Sequence, residues 1–182
     1  EQRSNVDLRG VIESSINMCW NEIRHRATLE RDLQDVPLVD ANESRLGQVF
    51  LNLLVNALQA RPDRSVDENR ITVRTRTDSE GWAIVEVSDN GSGIEADRVH
   101  RVFEPFFTTK SVSEGTGLGL AICRNIVQAA GGSIEIRTTP GEGTTFAVRL
   151  PRSTRAHAPT PTQLSSTPKH AGRATVVVID DE

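Results

Sequence analysis

Two glycine clusters constrain this chain more than any other feature of its sequence. The first holds Gly91 and Gly93, and the second, residues 115–120, opens an apolar helical pattern that stops at Gly131. Glycines ahead of a helix let backbone N–H groups approach an anion closely, and the helix N-terminus adds unpaired donors and a partial positive charge. A polyphosphate suits such a loop, although the same pattern also occurs in a plain tight connection.

The composition is that of a soluble domain with a short appendage. The chain has 182 residues, of which 36% are hydrophobic and 25% charged, and its net charge of −4 argues against broad nucleic-acid binding. No apolar run reaches the ~18 residues of a membrane span and no signal peptide opens the chain, so we expect a cytoplasmic domain. Cys19 and Cys123 lie in apolar helical patterns, which favours two buried, reduced thiols over a disulfide or redox pair.

Hydrophobic spacing predicts the order of helices and strands. Residues 1–5 form a predicted lead-in, and Asp7 is placed to cap the first helix. The predicted helices cover residues 6–19, 42–60, 95–102 and 118–130, and the predicted strands cover residues 26–33, 38–39, 71–73, 82–87, 133–137 and 144–150. This order predicts an α+β fold, a two-layer sandwich whose mixed, mostly antiparallel sheet carries helices on one face.

The predicted helix over residues 42–60 carries two asparagines opposite its apolar stripe. At about 100° per residue, Asn52 and Asn56 lie about 40° apart. Both could simply be solvated. However, Leu51 and Val55 flank them, so the helix is apolar most of the way round and we expect it to be covered on several sides. Covered carboxamides need partners, which a bound metal ion and phosphate would supply.

Four segments together resemble a known family. Residues 52–57, 89–93, 103–107 and 115–120 resemble, in this order, the N, G1, F and G2 boxes of the sensor histidine kinase ATP-binding domain. That domain has the Bergerat (GHKL) fold, which DNA gyrase, the mismatch-repair ATPases and the heat-shock chaperone share. The resemblance covers residues 6–151. The chain has neither a Walker P-loop nor a Rossmann fingerprint.

The resemblance implies ATP and Mg²⁺ as cofactors. Asp89 resembles the aspartate that accepts a hydrogen bond from the adenine amino group, and Thr144 the threonine that supports this contact through water. An ordinary strand threonine is the alternative for Thr144. Asn56 resembles the Mg²⁺ ligand, a role for which a carboxamide oxygen is suited. The remaining implied nucleotide contacts are Gly91, Gly93, Ile94, Phe106, Thr109, Lys110, Gly115, Thr116, Gly117, Leu118, Gly119 and Leu120.

The segment over residues 108–117 is polar and ends in glycines, which fits a lid that orders over ATP. Lys110 is placed to reach the triphosphate, and a solvated loop lysine is its alternative. Phe103, Phe106 and Phe107 could anchor the lid, although plain packing explains three phenylalanines equally well.

Asn52 bears on the reaction. The matching position in the gyrase, mismatch-repair and chaperone branch is a glutamate that activates water, and asparagine cannot take a proton. We therefore expect phosphoryl transfer, with Asn52 and Lys110 in the catalytic roles, rather than efficient hydrolysis. Gln59 stands where many histidine kinases have Lys or Arg, which puts the phosphate contacts of that position in doubt.

The resemblance implies a protein histidine kinase of a two-component phosphorelay. Its acceptor histidine would lie on a dimerisation domain of the same protein, outside this chain, so the isolated chain would not autophosphorylate. Two alternatives are a stand-alone ATPase that works as a conformational switch, and a non-enzymatic interaction module with a degenerate pocket. His25 is predicted to be a solvent-facing strand residue and not a phosphoacceptor.

The C-terminal part differs in composition. Residues 152–173 are rich in Pro, Ser, Thr and Ala and predict a flexible linker. Residues 174–182 resemble the first strand of a receiver domain, whose acidic pair helps to hold Mg²⁺; an apolar tail that happens to be acidic is the alternative. We expect a receiver domain or response regulator as a partner and a monomeric isolated chain. Whether the parent protein is anchored in the inner membrane stays open.

Overall fold

The computed structural model describes residues 2–60, 65–108 and 117–155. Thr109, Lys110, Gly115 and Thr116 of the predicted site lie outside the described residues, as do the predicted linker beyond Arg155 and the receiver-like strand. In chain order the elements are β1 (Ser4–Val6), α1 (Leu8–Arg26), β2 (Thr28–Leu33), β3 (Val39–Ala41), α2 (Glu43–Leu58), β4 (Arg70–Thr77), β5 (Ala83–Asp89), α3 (Ala96–Val99), α4 (Gly119–Ala129), β6 (Ser133–Thr139) and β7 (Gly143–Leu150).

The strands form a main sheet and a small accessory pair. Within the described residues, five strands make up the main sheet in the order β2-β4-β5-β7-β6. β2 runs parallel to β4, and the other neighbouring strands are antiparallel. β1 and β3 pair separately, also in antiparallel fashion. This topology confirms the predicted mixed, mostly antiparallel sheet.

The two faces of the main sheet differ in chemistry. On one face, Ile71 and Val73 of β4 and Val85 of β5 are buried, and α1, α2 and α4 pack over them. The opposite face carries charged pairs such as Arg74 and Asp32, whose Nε and Oδ2 atoms are 2.8 Å apart. The helices therefore cover one face of the sheet, as the α+β prediction required.

The central helix of the helical layer is α2, which packs against both α1 and α4. Asn42 caps it by accepting a hydrogen bond from the Arg45 N–H at 3.0 Å. Asn52 and Asn56 are half-buried, so the prediction that this helix is covered on several sides is confirmed. Its buried stripe consists of Leu46, Val49, Phe50, Leu53, Leu54, Ala57 and Leu58.

The first helix is longer than its predicted span. Asp7 caps it, as expected, by accepting a hydrogen bond from the Arg9 N–H at 3.0 Å, but the helix continues past Cys19 to Arg26. Ile23 extends the buried stripe by one more turn and is fully buried. Three basic residues then occupy the last turn, where they complement the helix dipole. His25 is therefore an exposed helical residue, and its prediction as a strand residue was wrong.

Both ends of the described chain belong to the fold. Ser4 and Asn5, which we expected in a lead-in, pair with residues 41 and 40 of β3. Ser153, which we expected in the linker, donates its N–H to the Leu38 carbonyl at 2.7 Å. The Arg155 guanidinium pairs with the Asp40 carboxylate at 2.9 Å. The compact domain thus starts before residue 6 and continues beyond residue 151.

The hairpin between β4 and β5 closes on Asp78. Its Oδ1 accepts hydrogen bonds from the Glu80 and Trp82 N–H groups, each at 2.9 Å, and its Oδ2 lies 2.7 Å from Arg149 Nε. The Trp82 N–H, more than Arg149, holds the pKa of Asp78 below its ordinary value. This hairpin lies at the end of β5 opposite to Asp89, and so fixes the sheet without reaching the predicted site.

Candidate functional site

The inner face of the sheet ends in a row of polar side chains. Asp89 of β5 lies opposite Thr144 of β7, which in turn lies opposite Thr138 of β6. The next row toward the core is apolar, with Val87 opposite Phe146. The Thr138 and Thr144 hydroxyls are 3.1 Å apart, and Thr144 is only 6% exposed. The sheet therefore presents one carboxylate and two hydroxyls side by side, just beyond the hydrophobic core.

The turn that follows Asp89 is packed so closely that it requires its glycines. The Gly91 N–H donates to Asp89 Oδ1 at 2.7 Å, which orients the carboxylate. A Cβ at Gly91 would lie 2.4 Å from that oxygen, and one at Gly93 would lie 2.1 Å from the Thr139 carbonyl oxygen. Gly93 also has a φ of +68°, a conformation that favours glycine. Packing within the protein is thus one requirement for both predicted glycines.

The C-terminal end of α2 joins this turn. The Ser92 N–H donates to the Ala60 carbonyl at 3.3 Å. Asn56 lies in the last turn of α2, shortly before Ala60, and Asn52 lies one turn earlier, about 6 Å from Asn56 along the helix axis. In the part of the chain that the structure describes, the half-buried Asn56 side chain makes no hydrogen bond. Its carboxamide is therefore available to a ligand beside the Asp89 turn.

Asn52 connects α2 to the start of α4. Its Nδ2 donates to the Gly119 carbonyl at 3.4 Å and to Cys123 Sγ at 3.7 Å. Leu118 occupies the N-cap position of α4 without a capping side-chain hydrogen bond among the described residues, so the helix presents backbone donors there. A Cβ at Gly119 would meet only the Asn52 carboxamide, at an ordinary 3.8 Å, within the described structure. Protein packing alone does not require that glycine.

Cys123 is buried beneath Asn52 and stays protonated. Its side chain is fully buried, and burial raises the pKa of the thiol from 9.0 to about 11, with a smaller opposing effect from the Asn52 hydrogen bond. Cys123 also donates to the Val49 carbonyl at 3.7 Å. The thiol therefore serves as packing between α4 and α2. The prediction that both cysteines are buried is confirmed, and neither forms a disulfide in the described structure.

The phenylalanine-rich segment contains a partly buried residue, Phe103, and an exposed one, Phe106. Phe103 packs edge-on against Phe146, with ring centroids 6.4 Å apart. Phe106 is 75% exposed, has a φ of +66°, and donates its N–H to the Gly117 carbonyl at 3.0 Å. This bond joins the described chain on either side of residues 109–116. The predicted nucleotide contact of Phe106 stays a prediction.

Two residues of this region escaped the sequence analysis. The Asn90 side chain accepts from the Arg70 N–H at 2.8 Å and donates to the Glu68 carbonyl at 2.7 Å, which ties the turn to the start of β4. Thr138 accepts a hydrogen bond from the Ile94 N–H at 2.9 Å. A signal for Thr138 existed, because it continues the inward alternation of Ile134 and Ile136 with a polar residue.

The chemistry of this region is that of a nucleotide site. A carboxylate at the end of the polar row can accept from an exocyclic amino group, a carboxamide can bind a hard cation, and a helix N-terminus can bind phosphate. Among residues 2–60, 65–108 and 117–155, no group of three or more His, Cys, Asp or Glu side chains could hold a metal ion. Over the same ranges, no helix has the length and hydropathy needed to cross a membrane.

The chain is similar to parts of known sensor kinases. Residues 41–154 match the family described as "Histidine kinase-, DNA gyrase B-, and HSP90-like ATPase". Sensor histidine kinase ZraS of Escherichia coli is 37% identical over 148 residues, which cover 80% of this chain and 30% of ZraS. The C4-dicarboxylate transport sensor protein DctB of Pseudomonas aeruginosa is 41% identical over 134 residues, which cover 72% of this chain and 22% of DctB. The chain thus spans less than a third of these relatives.

Solved structures show the same architecture. The catalytic domain of histidine kinase ThkA superposes with a TM-score of 0.72 at 28% identity, covering 84% of this chain and 97% of that domain. Full-length ShkA, solved in complex with AMPPNP, has a TM-score of 0.70 at 25% identity, covering 86% of this chain and 32% of ShkA. The chain therefore belongs to the family of histidine kinase-, DNA gyrase B- and HSP90-like ATPases, as a GHKL ATP-binding catalytic domain of the sensor histidine kinase type.

Proposed function

We propose that this domain binds Mg·ATP along α2 and positions the γ-phosphate for transfer to a histidine on another domain. The observation that carries the proposal is the arrangement of three residues, two on α2 and one just after its end. Ala60 contacts the Asp89 turn, Asn56 carries an available carboxamide, and Asn52 contacts the start of α4. The base, the inner phosphates and the terminal phosphate would follow these positions in order.

At the end of the site that binds the base, Asp89 accepts a hydrogen bond from the adenine amino group. The Gly91 N–H fixes one carboxylate oxygen, so the carboxylate is oriented before any nucleotide arrives. Thr144 is held beside it by the sheet register. Such preorganisation lowers the cost of ordering the contact on binding.

Asn56 is the residue that would hold Mg²⁺. Its carboxamide oxygen is a ligand type that this hard cation accepts, and the half-buried side chain has no other partner in the described part of the chain. When bound, the ion would neutralise phosphate charge.

Asn52 favours phosphoryl transfer over hydrolysis. Its amide nitrogen is engaged by α4, and no atom of asparagine can take a proton from water. Transfer needs alignment and charge neutralisation, and the acceptor histidine brings its own nucleophile. The similarity to ZraS and DctB supports a two-component role, with the acceptor on a dimerisation domain and a receiver domain or response regulator downstream.

The C-terminal assignments stay proposals. We propose that residues 156–173 link this domain to a receiver domain whose first strand begins near residue 174. Sensor protein TorS of Escherichia coli aligns with 95% of this chain at 34% identity, so the alignment continues past the catalytic domain. We also propose that the isolated chain is monomeric, and that Lys110 and the glycines over residues 115–117 contact the phosphates.

The test is calorimetric titration of this chain with ATP, with and without Mg²⁺. One-to-one binding is expected for the wild type. Asp89→Asn keeps an oxygen for the Gly91 N–H but places an amide donor at the base, so ATP binding should weaken by about 10- to 100-fold. Asn56→Ala should remove the Mg²⁺ dependence, whereas Asn125→Ala, an exposed asparagine on α4, should not. A folded wild type that fails to bind millimolar ATP would refute the proposal.

A second experiment separates the remaining alternatives. The chain would be mixed with radiolabelled ATP and a dimerisation domain from the parent protein. Label on the histidine of that domain, with little free phosphate, supports the kinase. Steady phosphate release without a labelled acceptor would instead indicate a stand-alone ATPase, and an interaction module would bind no nucleotide at all.

A further inference from the structure

The Asn52 side chain is anchored to α4 at two points. Its Nδ2 donates to the Gly119 carbonyl at 3.4 Å and to Cys123 Sγ at 3.7 Å. An amide nitrogen has two protons, so these two acceptors use both of them. The carboxamide oxygen has no hydrogen-bond partner among the described residues. It is therefore the atom of Asn52 that remains for a ligand or a reacting group.

The thiol of Cys123 is set to accept from this amide. Its single proton goes to the Val49 carbonyl of α2, which lies 3.7 Å from Sγ. Burial raises the pKa of the thiol to about 11, so that proton stays in place at neutral pH. The sulfur lone pairs are then left to face the Asn52 nitrogen, although sulfur is a weak acceptor. An aliphatic side chain at this position would offer no acceptor at all.

Hydrogen bonds, more than packing, decide how the Asn52 amide is turned. The terminal torsion of asparagine has no sharp rotamer preference, so its neighbours must determine it. Gly119 has no side chain, and even a Cβ there would lie 3.8 Å from the amide. Without the sulfur, only the bond to the Gly119 carbonyl would hold the nitrogen against α4. The carboxamide oxygen would then be less well fixed.

We propose that Cys123 is a positioning residue for phosphoryl transfer, which holds the Asn52 amide against α4 and so directs its carboxamide oxygen toward the terminal phosphate. This inference rests on the proposed function of the domain as a kinase. Cys123 itself does not contact ATP or the acceptor, and it acts through Asn52. Because transfer depends mainly on alignment, loosening Asn52 should slow the reaction more than it weakens ATP binding.

The reaction that Asn52 would help to align is a simple displacement. A lone pair of a histidine ring nitrogen forms the bond to the γ-phosphorus, and the bond between that phosphorus and the bridging oxygen breaks. ADP leaves with the electron pair of the broken bond, and the second ring nitrogen releases its proton to water. Asn52 takes no proton in this sequence, as its chemistry requires.

The experiment measures two quantities on the same preparations: the dissociation constant for ATP, and the rate of transfer at saturating ATP to the dimerisation domain of the parent protein. Cys123→Val keeps a buried apolar side chain and removes the acceptor. The rate should fall about threefold to tenfold, while the dissociation constant changes less than about twofold. Cys123→Ser restores an acceptor and should recover most of the rate.

A double-mutant cycle distinguishes positioning from packing. Asn52→Ala should also slow transfer, and adding Cys123→Val to it should have no further effect, because the thiol acts through Asn52. A packing role would instead lower the rate by the same factor in both backgrounds. Cys19→Val is the matched control, since Cys19 is a buried thiol that donates within α1 to the Ser15 carbonyl at 3.2 Å, and its loss should leave the rate unchanged.

The outcomes separate this inference from the proposed function. A wild type that binds no ATP, or labels no histidine, defeats the proposed function and this inference with it. If the wild type transfers phosphate, the role of Cys123 alone is refuted by any of three results. These are a wild-type rate in Cys123→Val, a wild-type rate in Asn52→Ala, or a loss of ATP affinity in Cys123→Val as large as its loss of rate. Should Cys123→Val not fold, Cys123→Ala takes its place in the same cycle.

Discussion

Replacement of Gly119 by alanine should separate folding from ligand binding. A Cβ there would lie 3.8 Å from the Asn52 carboxamide, an ordinary contact, and the residue is the first of α4. Alanine in a helix is favoured over glycine by about 0.5–1 kcal/mol, with the lower end applying at a terminus. The variant should therefore be as stable as the wild type or melt about 1–3 °C higher. Its added methyl group, however, occupies the space that we assign to phosphate.

The expected result is a stable protein that has lost its nucleotide. ATP affinity should fall at least about tenfold, which corresponds to ~1.4 kcal/mol. Gly47→Ala in α2 is the matched control, since its Cβ would lie 3.9 Å from Val11 of α1, away from the site, and it should raise stability without changing ATP affinity. Gly93→Ala should instead lower the melting temperature, because its positive φ costs about 1–2 kcal/mol and its Cβ would lie 2.1 Å from the Thr139 carbonyl oxygen.

Thermal unfolding and calorimetry with ATP would be run on the three glycine variants together. Normal ATP binding by Gly119→Ala would refute the reasoning that a ligand requires this glycine. A lower melting temperature for Gly119→Ala, with a higher one for Gly47→Ala, would show that protein packing requires it after all.

Three further predictions follow from groups outside the nucleotide contacts. Because burial raises the pKa of Cys123 to about 11, the unfolded thiol ionises first, so stability should fall between pH 9 and 11 by up to ~3 kcal/mol; denaturant titrations should show a shallower alkaline loss in Cys123→Ala, and an equal loss would contradict the assignment. The pKa of Asp78 is lowered, so ionised Asp78 stabilises the fold above the ordinary aspartate range, and this stabilisation is lost as the pH falls through the lowered pKa. Asp78→Asn should therefore melt below the wild type at pH 7 and approach it in acid, with ATP affinity unchanged. A difference in melting temperature that persists in acid would argue against this. A chain ending at Pro151 should melt below one ending at Arg155, because it lacks the Ser153 and Arg155 contacts; equal melting temperatures would restore the shorter domain boundary.

The sequence predicted best those features that one element determines by itself. The periodicity of α2 placed Asn52 and Asn56 opposite the stripe, and a covered helix followed from the apolar residues beside them. The extent of α1 was less predictable, because the polar Asn21 and Glu22 interrupt the apolar pattern between Cys19 and Ile23 and hide the last buried turn. β1 was missed since three residues carry too little pattern, and their pairing with β3 depends on a non-local contact.

Thr138 illustrates what sequence reasoning lacks. Its inward direction could be read from the alternation of β6, but its neighbours depend on the register between β6 and β7 and on the order of strands in the sheet. A shift of one residue would turn Thr138 to the opposite face. The Asp89–Thr144–Thr138 row therefore exists only in the folded sheet, although each of its members is visible in the sequence.

The position of this row supports our proposal that the base binds at this end of the sheet. The inner face beneath it is filled by apolar rows packed against α2, where a carboxylate would be costly to bury. One row further, the helices no longer cover the face completely. Asp89 is half-buried there, and α2 has ended, so that Ala60 beyond the helix contacts the turn. The backbone pairing of the sheet positions polar side chains there, where they remain accessible to a ligand. The core thus fixes the geometry of the polar row that we propose for base recognition.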